Sequence, residues 1–155
     1  MELDELKKEY SKLEKKYSLP KFKELEENFE IGKLDKETDT LLRSIRKVMI
    51  EKIINSINFI EMLLNPMNAP RMYFNYIRSM NSEDKNTIEK SYTILSGISL
   101  ISLEREIDYS EKGEADLIKA ILKSWNDVKP EFRKIVERIK SPNLTVVRKE
   151  RNYFG

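Results

Sequence analysis

The chain has 155 residues, a net charge of +2 and 36% charged side chains, and it contains neither histidine nor cysteine. Without imidazole or thiolate, histidine-based triads, thiol nucleophiles, disulfides and structural zinc sites are excluded. Isoleucine, leucine, valine and phenylalanine supply 44 residues against four glycines and five prolines, which predicts an all-α, single-domain helical bundle of about five to seven helices.

Met1 leads directly into Glu2-Leu3-Asp4-Glu5, unlike the basic and apolar opening of a secretory signal, so a cytoplasmic location is expected. Leu3, Leu6, Tyr10, Leu13 and Tyr17 then recur at alternating steps of three and four among charged residues. This narrow seam predicts a helix to about Tyr17 that lies against one partner helix. The partner is either another helix of the chain or the same seam of a second copy, so a homodimer through these five residues is one expectation. Ser18-Leu19-Pro20 breaks the helix, and Phe22, Leu25 and Phe29 share one face of the next, with Gly32 as its expected left-handed stop.

Asp35 is the expected cap of a long central helix, about residues 36–64, with Glu37 and Asp39 complementing the positive end of its dipole. Its apolar positions, from Leu41 and Leu42 through Ile45, Met49, Ile53 and Ile57 to Leu64, spread over a face wide enough to imply burial from several sides. The interruptions Glu51, Lys52, Asn55 and Glu61 rule out an ordinary lipid-exposed span, so no membrane segment is expected. After Pro66 and Pro70 a short helix is predicted from Arg71 to about Met80, followed by Asn81-Ser82 as a cap.

Ile88, Tyr92, Leu95, Ile98 and Leu103 keep helical spacing; residues 93–99 would also pass as a strand, but the length of the pattern favours a helix. Thr93, Ser96, Gly97 and Ser99 on it would let another helix approach closely. Beyond Asp108-Tyr109-Ser110, one apolar line runs from Leu117 through Trp125 to Ile139 despite Pro130, predicting two helices or one kinked helix. Ser141-Pro142 is the expected end. Residues 1–142 then form the bundle and residues 143–155 a short basic tail, in which Val146-Val147 could add to a partner's sheet edge with Tyr153 and Phe154 as anchors.

Charge is uneven: residues 81–117 hold nine acids against four bases, and residues 118–155 ten bases against four acids. The most unusual stretch is Pro70 to Arg78, flanked by Met62, Met67 and Met80, because arginine, aromatic residues and methionine are enriched in interface cores. On a helix, Tyr73, Ile77 and Met80 would face inward. Arg71, Phe74, Asn75 and Arg78, with Met67, are the candidate partner-binding surface. The leading expectation is therefore a non-enzymatic adaptor, scaffold or small subunit that binds a protein partner or itself, with no cofactor, catalytic group or metal site assigned.

Two other readings compete. Arg43, Arg46, Lys47, Arg133, Lys134, Arg138 and Lys140, with Arg148, Lys149 and Arg151 in the tail, could form a phosphate-binding stripe if their helices lie side by side. Phe74 or Tyr76 would then stack an unpaired base. Alternatively, Glu24-x-x-Glu27 and the acids Glu104, Glu106, Asp108, Glu111, Glu114 and Asp116 could hold magnesium in an all-α nucleotide hydrolase. No glycine-rich phosphate loop or nucleophile elbow is present.

Overall fold

Helical spacing in the sequence becomes six α-helices in the computed structural model, which describes residues 2–34 and 40–154, except for the side chains of residue 68 and residues 141–154. They are α1 (Leu3–Tyr17), α2 (Phe22–Phe29), α3 (Leu41–Leu64), α4 (Phe74–Ser79), α5 (Ser82–Ile107) and α6 (Glu111–Phe154). Short 3₁₀ turns lie at Ile31–Lys33, Pro66–Asn68 and Arg71–Tyr73, and no strand occurs among the described residues. No described helix is long and apolar enough to cross a membrane.

Helices α3, α5 and α6 each pack on the other two. Side-chain bonds set their directions. Tyr92 reaches Glu61 and Ser102 reaches Arg46, so α3 and α5 are antiparallel; Arg46 meets Glu114 and Phe59 meets Phe132, so α3 and α6 are parallel. The first two helices cover the side of the α3–α6 pair away from α5. Tyr17 donates to Glu111 at 2.5 Å, Lys119 to the Tyr17 carbonyl at 2.9 Å, and Lys52 and Lys129 both bond Asn28. The core runs from Leu6, Leu25 and Ile31 through Ile45, Met49, Ile53 and Ile60 to Ile118, Ile121 and Val128, all nearly inaccessible.

Several local expectations change. The N-terminal seam is satisfied within its own chain: Leu6 and Tyr10 are buried, Tyr10 packs edge-on against Phe22, and its hydroxyl donates to the Pro20 carbonyl. Leu13 and Tyr17 are half-buried on the same core, and of the five residues only Leu3 is exposed. The left-handed end of α2 is Glu30 (φ 54°), not Gly32. Gly32 serves a close approach instead, since its N–H bonds Glu26 Oε2 at 2.5 Å and a Cβ there would meet the same carboxylate.

The central helix begins at Leu41 with Thr40 at its cap position, and the expected roles of Asp35, Glu37 and Asp39 lie outside the described residues. Asn81 caps α5 as expected, in a reciprocal pair with Asp84 at 2.8 and 3.1 Å. Pro130 does not divide α6. It lies on the exposed face, so water can satisfy the Asn126 carbonyl that loses its donor. The helix also passes Ser141-Pro142, where an end was expected, and continues to Phe154. The basic tail thus extends α6, while the proposed anchors Tyr153 and Phe154 lie outside the described side chains.

A charged pair sits inside the three-helix core. Arg46 is 1% exposed; its Nε and Nη2 hold both oxygens of the equally buried Glu114 at 2.8 and 3.1 Å, Nη1 donates to Ser102 at 2.9 Å, and Nη2 also meets Glu106 at 2.8 Å. Such a forked pair is strong once formed, but each charge is costly to bury alone. Arg46→Met should therefore cost about 3–5 kcal/mol by stranding the Glu114 carboxylate. Adding Glu114→Leu should recover most of that loss, measured by urea unfolding of the single and double variants.

Candidate functional site

The segment between α3 and α5 closes one end of the bundle. Pro66 and Pro70 prevent continuous helix, so the chain descends through two 3₁₀ turns before α4 forms. The helix expected from Arg71 is thus a 3₁₀ turn followed by α4 from Phe74, which changes which side chains face inward. Tyr76, not Tyr73, is the deepest, at 1% exposure, whereas Tyr73, Ile77 and Met80 are half-buried against the core. Burial, reinforced by Asp84, raises the Tyr76 hydroxyl above its ordinary pKa. Buried so completely, Tyr76 is unavailable for the base stacking considered for it.

A ladder of rings supports this segment from below. Tyr73 meets Phe59 edge-on at 5.8 Å, Phe59 meets Phe132 at 5.4 Å, and Phe132 leads to Trp125 and then Phe29 at 6.3 Å each. Lys52 lies over the last two rings.

The predicted partner-binding residues share the outer side of this end. Arg71, Asn75 and Arg78 are exposed, Phe74 is half-buried, and Met67 is 94% exposed. Neither arginine forms an ion pair among the described residues. Met67, Phe74 and Arg78, with Pro66 and Ile77, line a hollow of about 270 Å³. Arg71 and Asn75 lie outside its lining. The hollow offers apolar walls of thioether and ring with a guanidinium at the edge, chemistry suited to an apolar side chain next to a carboxylate.

The cationic residues do not form the expected stripe. Although α3 and α6 lie side by side, their parallel directions put Arg43, Arg46 and Lys47 next to the start of α6, whereas Arg133 stands nineteen residues beyond Glu114, about 28 Å along the helix. Arg46 is buried. Arg43 binds Glu106 at 2.6 Å and sits over the Tyr109 ring, Lys134 pairs with Glu131 at 3.4 Å, and Arg138 bonds Asp84. Lys47 and Arg133 are exposed, while Arg148, Lys149 and Arg151 lie outside the described side chains.

Part of the acidic junction is committed to internal partners, while Glu104 and Asp108 are exposed. Glu106 is shared by Arg43 and Arg46, Glu114 is held by Arg46, and Glu111 accepts from Tyr17 and Lys16. Among the described residues no group of three or more acids is placed to hold a metal ion. Only in the alternative readings does the sequence place Arg46 in a phosphate-binding stripe and Glu114 among acids that could hold magnesium. The available signal was that position 46 falls on the inward arc of α3, between Leu42 and Met49, where a charge needs a buried partner.

No family model, curated protein or solved structure matches the chain.

The hydrogen bonds from Arg43 and then Arg46 hold the Glu106 carboxyl down to about 2, from an ordinary 4.5, and the Tyr17 hydroxyl followed by Lys16 lowers Glu111. A carboxyl depressed by folding stabilises the protein above its unfolded pKa, and that contribution disappears as pH falls toward the folded value. Unfolding midpoints should therefore stay nearly level between about pH 8 and 5, where no histidine titrates. They should fall from pH 4.5 toward 2, and Glu106→Gln should blunt the fall in a pH series of thermal melts.

Proposed function

We propose that the protein is a non-enzymatic interaction module of the cytoplasm, an adaptor, scaffold or small subunit, that binds a protein partner through the end of the bundle formed by residues 66–79. The observation that carries this reading is the grouping of unpaired, exposed Arg78 with half-buried Phe74 and almost wholly exposed Met67 around one hollow. The partner that fits is a segment presenting an apolar side chain next to an acidic one, with Arg71 as a further contact for acid.

Arginine and aromatic side chains dominate the energetics of protein contacts, and their truncation commonly costs more than 1 kcal/mol each. The nucleic-acid alternative loses Arg43, Arg46 and Lys47 to the opposite end of the bundle, while Arg133, Lys134 and Arg138 of α6 stand at the same end as Arg71, Phe74 and Arg78. For a magnesium-dependent hydrolase, Glu106, Glu111 and Glu114 are already engaged by arginine, lysine and tyrosine.

Tagged wild type and a Phe74→Ala, Arg78→Glu variant should be compared in copurification from native cells. Both chains should give the same circular dichroism, and the variant should lose a specific partner with at least about tenfold lower affinity. Capture of the same proteins at the same affinity would reject this surface. Titration with single-stranded RNA and DNA at two salt concentrations should give no more binding than an unrelated protein of equal charge; a steep salt slope abolished by the same variant would favour nucleic acid.

A further inference from the structure

Helix α5 buries one side and leaves the other uncovered. Ile88, Ser91, Leu95, Ile98 and Ser102 face the core, but Leu100 is 63% exposed, Leu103 60% and Ile107 81%, with Ile94 and Ile101 near 40%. The thirteen residues 91–103 carry no charge in a chain that is 36% charged. Core packing explains the inward positions only. Of the small residues expected to admit another helix, Ser96 and Ser99 are half-buried, but Thr93 and Gly97 are exposed, and a Cβ at Gly97 would have nothing within 4 Å.

We propose that a second copy of this chain packs antiparallel on the outer face of α5, about a twofold axis near Gly97. The sequence is self-complementary about that point. Positions three, four and seven residues to either side of a helical residue share its face. A twofold axis at Gly97 therefore sets Ile94 against the partner's Leu100, Thr93 against the partner's Ile101, and Lys90 against the partner's Glu104. All are exposed. The bare glycine lets the two backbones approach where they cross.

Charge selects both the occupant and its direction. Lys90 and Glu104 are exposed, form no ion pair among the described residues, and have no opposite charge three or four residues away on α5. They stand about 21 Å apart along the helix, too far to meet within one chain. A parallel pair would oppose lysine to lysine and glutamate to glutamate, whereas the antiparallel pair forms two salt bridges, one at each end of the apolar strip. Of the exposed apolar side chains, Ile94, Leu100 and Ile101 lie on the Gly97 face and present on the order of 250 Å², with Leu103 and Ile107 at its edge.

This interface is separate from the surface formed by residues 66–79 and does not depend on it. Sedimentation of the wild type at about 100 µM should give the mass of a dimer. Gly97→Gln should give a monomer with an equal or higher melting temperature, because glutamine favours helix over glycine and meets no neighbour in the folded chain. Leu100→Glu should also dissociate the dimer. Lys90→Glu and Glu104→Lys should each weaken it at least several-fold, and the double reversal should restore it, an outcome that general destabilisation does not produce. A wild type that sediments as a monomer overturns the proposal and leaves the α5 face to a different protein, as does a dimer indifferent to Gly97→Gln and Leu100→Glu.

Discussion

A guanidinium withdrawn from water must be met by fixed acceptors, and Arg46 draws three helices together to provide them. Glu114 comes from α6, and Ser102 and Glu106 from α5. Apolar packing tolerates a helix sliding by a turn far better than a forked pair of hydrogen bonds does, because sliding leaves both charges buried and unmatched. The network therefore sets the register of the bundle, antiparallel between α3 and α5 and parallel between α3 and α6. The distribution of charge follows from the same arrangement: the bases of α3 and those of the second half of α6 stand at opposite ends, and Glu106, Glu111 and Glu114 of the α5–α6 junction are occupied by the residues around them.

Stiffness reaches the other end through the aromatic ladder. Five rings in sequence, from Phe29 to Tyr73, cross from the α2 layer through α6 and α3 to the base of residues 66–79. Each contact is modest, yet a ring touching two others has few rotamers open to it. The short turns above consequently rest on a firm base, which explains how a segment with two prolines and little regular helix keeps Phe74 and Arg78 on one side. A surface of this kind loses little entropy when a partner settles on it.

Much of the architecture was legible because periodicity records burial. The apolar line from Leu117 to Ile139, the wide face of α3 and the Asn81 cap all reappear in the structure. What the spacing could not show is which element faces which. The α1 seam asked for one partner, but its contacts are Glu111 and Lys119, about a hundred residues away, and nothing local separates that solution from a second copy. Arg46 was legible in part, since it interrupts an apolar arc, but Glu114 looked like any other acid near a turn. At residues 66–79, Met67, Arg71 and Phe74 were recognisable by type. The interruption at Phe74 between 3₁₀ and α geometry, which turns Tyr76 inward, depends on tertiary packing and left no clear pattern.

The placement of α1 and α2 outside the three-helix core bears on the order in which the molecule assembles. Contacts among α3, α5 and α6 span fewer residues, 31 for Tyr92–Glu61 and 68 for Arg46–Glu114, than those that dock the first two helices. The first two helices must instead find Tyr17–Glu111 and Asn28–Lys129, contacts spanning roughly two-thirds of the polypeptide. During synthesis α1 and α2 emerge first, yet their contacts with α6 form only after that helix is made. They must wait as a nascent amphipathic hairpin, with Leu6, Leu25 and Phe29 uncovered, until α6 arrives to receive them.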